Sequence, residues 1–134
     1  AAVALAAERR TDADVVRMQA ALKRLKPVTR KWGEAALAAH REVHRALYAA
    51  SHNDVVVRML DDLWDKSDRY RRVGLQLPPG SEDRTRDFEE HHELVRLVVD
   101  GEASAAAELM TTHIDHSLAA AVVAAETDAP APAD

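Results

Sequence analysis

Cysteine is absent from the 134 residues, which excludes disulfides, thiolate metal ligands and cysteine nucleophiles. A metal ion held by this chain must draw its ligands from His, Asp, Glu or solvent. Long apolar runs are missing too. The longest uncharged ones, AAVALAA at the start and residues 117–125, reach about half the length of a bilayer crossing. No basic segment precedes an apolar stretch at the start, so no secretory signal is read there. Nor is there an excess of positive charge: 18 Lys and Arg against 23 Asp and Glu leave a net charge of −5. No broad basic face can then form against a phosphate backbone. These absences point to one soluble, cytoplasmic domain that neither crosses a membrane nor holds DNA by itself.

What is present is helical punctuation. No run of alternating β-branched residues argues for a strand, and the expected fold is all-α, an antiparallel bundle of about six to seven helices. Residues 1–9 read as the closing turns of a helix whose beginning lies outside the chain. Thr11 with Asp14 forms a capping pair for a helix to about Lys26, which Pro27 ends. A helix is expected over residues 29–50. A break at SHND follows, where Asn53 or Ser51 can cap a helix over residues 54–73. LPPGSED is a loop. A helix over residues 83–99 closes at Asp100 and Gly101, and the last spans residues 103–126. The tail TDAPAPAD is expected to be disordered. Arg outnumbers Lys 14 to 4, Ala is abundant and Ile occurs only at Ile114, a usage that fits GC-rich bacterial coding.

The seven histidines carry the functional signal. In AAHREVHRAL, His40 and His44 are separated by about 400° of helical rotation, so both leave one face. Trp32, Leu37, Val43, Leu47 and Tyr48 define the inward side of that helix, and both histidines fall on it. His91 lies on the inward axis set by Phe88, Leu94, Val95, Val98 and Val99, while His92 is turned about 100° away. His113 falls among Leu109, Met110, Ile114 and Ala120, with His116 at the edge and His52 solvated in a turn. A buried neutral imidazole has a donor and an acceptor to satisfy. A shared metal satisfies one nitrogen each from His40, His44, His91 and His113; backbone carbonyls or a polar cavity could also serve. Ligand nitrogens sit about 2 Å from an ion, so separations beyond about 6 Å exclude a shared site. The ligand chemistry suits zinc, nickel or another borderline ion about equally; zinc is the ion expected, with nickel or another transition metal as alternatives.

These segments resemble the FCD domain, the effector-binding and dimerising C-terminal domain of FadR-subfamily GntR transcription regulators. The resemblance runs through LAAERRTDADVVRM, HREVHRALYAASHND and EEHHELVRLVVDGEASAAAELMTTHI, with family positions at His40, His44, Asn53, His91, Gly101, Glu102 and His113. It implies residues 1–126 as the ligand-binding and dimerising domain, residues 127–134 as a tail, and a homodimer. In metal-binding members an Asp and three His hold a divalent ion, and a small carboxylate effector completes the coordination. The three histidines correspond to His44, His91 and His113, and His40 stands where the family has the Asp. An imidazole there leaves the ion its full charge, which favours an anionic effector. Arg69, in SDRYRRVG, is the expected effector clamp, since a guanidinium binds carboxylates in bidentate fashion. Operator DNA is contacted only through a winged helix-turn-helix of the parent protein that this chain does not contain.

Two other functions compete with the sensor. A metal-stabilised dimerisation bundle shares the fold and differs in having no open coordination position. A metalloenzyme needs a base near the metal, yet there is no HExxH helix, and Glu89 to His92 gives a single Glu-x-x-His where a di-iron bundle needs two. The reading adopted is a sensor without catalytic residues.

Overall fold

The computed structural model describes the backbone of residues 1–25, 33–74 and 81–127 and the side chains of residues 1–25, 35–67 and 88–115. Six helices make up the described chain: α1 (Ala2–Arg9), α2 (Asp12–Arg24), α3 (Gly33–Ala49), α4 (Asp54–Gly74), α5 (Ser81–Val99) and α6 (Ala103–Thr127). The expected all-α bundle is what forms, with no strand among the described residues. Of the expected loop LPPGSED, LPPG lies outside those residues, while residues 81–83 open α5 instead, Ser81 starting the helix two residues earlier than expected. The tail after Thr127 and the helix start before Gly33 lie outside those residues too, as do the side chains of Trp32, Arg69 and His116.

Helix ends follow from local chemistry. Thr11 accepts from the Asp14 N–H at 3.2 Å, and Asp14 accepts from the Thr11 N–H at 2.8 Å, so the capping box forms as the sequence spells it. Asn53 caps α4 by accepting from the Val56 N–H at 3.2 Å. Helix α5 ends in a Schellman motif: the Glu102 N–H donates to Leu97 O at 2.9 Å and the Gly101 N–H to Val98 O at 3.1 Å. Gly101 has a φ of 76°, the left-handed conformation such an ending needs.

The core sits between α1, α2, α3 and α5, with α6 closing it. Met18, Val43, Leu47, Leu94 and Val98 are fully buried, each stabilising the fold by roughly 1.5–3 kcal/mol relative to exposure. Ala6, Ala36, Ala50 and Ala106 are fully buried as well, and their small side chains let the helix axes come close. Helix α1 packs on α6, α5 and α3, while α6 also packs on α5 and α4. Arg10 ties two helix ends together by donating from Nε to Val99 O at 2.6 Å and from Nη1 to Ala7 O at 2.5 Å. This frame brings the inward faces of α3, α5 and α6 to one place.

Candidate metal centre

Helix α3 contributes His40 and His44, and Val43 and Leu47 hold their shared face against the core. Helix α5 contributes His91, whose neighbours Leu94, Val95 and Val98 are buried, and α6 contributes His113 beside Met110 and Leu109. His40, His91 and His113 are buried and His44 partly so, whereas His92 is exposed, its ring tilted against Phe88. The split between His91 and His92 agrees with the helical rotation between them.

Three of the four expected ligands converge. One nitrogen each from His44, His91 and His113 lie within 4.8 Å of one another. His44 Nε2 is 2.9 Å from His91 Nε2, and the His91 and His113 rings meet edge to face with centroids 4.5 Å apart. His44 and His113 stack at 5.4 Å. His40 does not join the set of three; its ring packs edge-on against His91 at 4.6 Å. Nitrogens of a tetrahedral zinc site, each about 2.0–2.1 Å from the ion, stand roughly 3.3 Å apart. Spacings within 4.8 Å are close to that, and the donors are of the type zinc and nickel accept.

The surroundings fix the rings. His113 Nδ1 lies 2.7 Å from Glu90 Oε2 inside the protein; an ionised carboxylate only accepts, so this contact suits the tautomer with its proton on Nδ1 and its lone pair on Nε2. Trp64 of α4 is buried and meets the His44 ring edge-on at 5.0 Å. Its placement is set by polar links between α3 and α4: Arg41 to Asp65 at 2.8 Å, Arg45 to Asp61 at 3.2 Å, and the Tyr48 hydroxyl donating to Asp61 at 2.6 Å. Burial, together with the hydrogen bond to Asp61, pushes the Tyr48 phenol well above its ordinary range, so it remains a donor.

Glu90 was not singled out from the sequence. A signal was present, since Glu90, Leu94 and Leu97 fall at i, i+4 and i+7 and thus share the buried stripe of α5. A carboxylate in an apolar stripe needs a partner. His52, expected to be solvated, is exposed on one side but bonds Asp14 Oδ2 through Nε2 at 2.6 Å.

The chain is thus an all-α bundle in which helices α3, α5 and α6 share a cluster of histidines able to hold a metal ion. Residues 1–116 match the family model of the FCD domain, and the chain belongs to that family. FCD domains are effector-sensing domains of GntR-type transcription regulators, not known as enzymes. No curated protein and no solved structure matches the chain.

Proposed function

We propose that this FCD domain binds a divalent transition metal, zinc before nickel, through His44, His91 and His113, with His40 as the fourth imidazole of the site. A small organic acid coordinates the ion or sits against it, clamped by Arg69, and its binding alters operator affinity of the parent regulator. The observation that carries this reading is the convergence of three histidine nitrogens within 4.8 Å at the junction of α3, α5 and α6. A homodimer belongs to the same proposal. Val55, Met59 and Leu63 are exposed at i, i+4 and i+8 along α4, an apolar stripe with Arg58 and Asp62 beside it. Arg58 and Asp62, four apart, flank the stripe on one side, so two such helices packed antiparallel set Arg58 of each against Asp62 of the other.

Elemental analysis of protein purified without chelator tests the site. About one zinc or nickel per chain is expected to survive purification of the wild type, and much less that of the weaker-binding His44→Ala or His113→Ala. A wild type free of transition metal overturns the reading. The effector is tested on the zinc-loaded, full-length regulator with a panel of small mono-, di- and tricarboxylates at millimolar levels. A rise in Tm and a change in operator affinity are expected with at least one acid; no shift with any acid leaves the dimerisation bundle as the function. The dimer is tested by light scattering, where Met59→Glu is expected to give monomer.

A further inference from the structure

We infer that Glu90 is the positioning residue of the metal centre, holding His113 so that Nε2 faces the ion and supplying the negative charge that the ligands lack. The inference rests on the metal reading above and concerns a residue outside the ligand set. Glu90 is buried, and its Oε2 lies 2.7 Å from His113 Nδ1, a contact 23 residues apart in sequence that joins α5 to α6. A buried carboxylate is strongly disfavoured unless a partner compensates it. Here His113 Nδ1 is such a partner.

Two consequences follow from that geometry. With Nδ1–H donated to Glu90, the lone pair of His113 is confined to Nε2, so the correct tautomer exists before any ion arrives. The ring is also made a stronger electron donor, because the carboxylate stabilises the positive charge that a bound cation induces on it. The second effect matters because the three converging ligands are all imidazoles, a ligand type that brings no negative charge to an ion. A divalent ion among them keeps its charge of +2 in a buried place, and Glu90 brings a compensating anion to within one ring's width. Adjacent residues of α5 thus serve one ion differently: His91 directly, and Glu90 through His113. A plain interhelical hydrogen bond needs neither the tautomer nor the charge.

Zinc alone, titrated at about pH 8 against a chromophoric chelator, separates the two roles in the full chain. Glu90→Gln, which keeps the shape and removes the charge, is expected to weaken zinc binding about 10-fold, and Glu90→Ala up to about 100-fold. In a His113→Ala background the same substitutions are expected to change zinc affinity less than about twofold. Long-range proton–nitrogen spectra of the metal-free wild type are expected to show His113 protonated at Nδ1, shifting toward the Nε2–H form in Glu90→Ala. Zinc affinities within about twofold for wild type and both folded variants overturn the role of Glu90, and so does a wild-type His113 protonated at Nε2. If both variants fail to fold, the wild-type spectrum decides. A wild type that takes up no zinc overturns the metal reading as well, so the two failures are told apart.

Discussion

His91 and His92 are consecutive and chemically identical, yet one is in the core and the other in solvent. The rotation of about 100° between neighbours was enough to separate them from sequence, because the apolar stripe of α5 fixes which direction is inward. The same reasoning placed His44 and His113, and the structure brings all three together. It could not place His40 relative to the others, because the position of a ring within an inward face depends on rotamers and on neighbouring helices. Substitution separates the contributions: His91→Ala is expected to lower zinc affinity at least about 100-fold, His40→Ala by about 10-fold or less, and His92→Ala not at all. Chelator competition measures all three. Loss of binding in His40→Ala equal to that in His91→Ala would make His40 a full ligand. Glu90 was missed for a different reason: its significance lies in a partner on another helix, and no local pattern names that partner.

At the scale of the element, the helices were legible because their ends obey local chemistry. The box of Thr11 and Asp14, the Asn53 cap and the Gly101 ending depend on residues within a few positions of each other. What was not legible is how those ends are reused by distant parts of the chain. Burial pushes the Asp14 carboxyl up, but hydrogen bonds from the Thr11 N–H and from His52 outweigh it and hold the group at about 2. A folded value below the ordinary 3.8 stabilises the protein above about pH 4, and that contribution is lost as pH falls toward about 2. The difference corresponds to about 2 kcal/mol. Asp14→Asn is therefore expected to cost about that much in urea unfolding near neutral pH, with the gap from wild type closing below about pH 3. Gly101 gives a second case. A Cβ there meets Arg10 Nη2 at 3.1 Å, and that guanidinium is already pinned by Val99 O and Ala7 O. Together with the left-handed φ, this predicts that Gly101→Ala lowers stability by about 1–2 kcal/mol, read as a drop in Tm.

For the whole molecule, the triad is positioned where it can act as a clasp. Its members belong to α3 and to the consecutive helices α5 and α6, with His44 and His91 47 residues apart, while α1 packs on all three of these helices. An ion shared by His44, His91 and His113 closes contacts that the unfolded chain cannot offer, so binding free energy becomes folding free energy. At a free zinc concentration about 100 times Kd, the linkage adds about 2.7 kcal/mol. For a domain of this size that is a rise in Tm of roughly 10 °C, expected in a calorimetric scan and reversed by chelator. The gain has a distinctive distribution. Backbone amides of α6 around His113 and of α5 around His91 are expected to gain hydrogen-exchange protection, because the ion ties these helices to α3. The α1–α2 junction, held by Arg10 and the Thr11 capping box, does not touch the ion and is expected to change least. Zinc that raises Tm while leaving exchange at His91 and His113 no slower than at Thr11 would locate the ion elsewhere. In His113→Ala the selective protection of α6 should vanish, since the clasp then has no ligand on that helix.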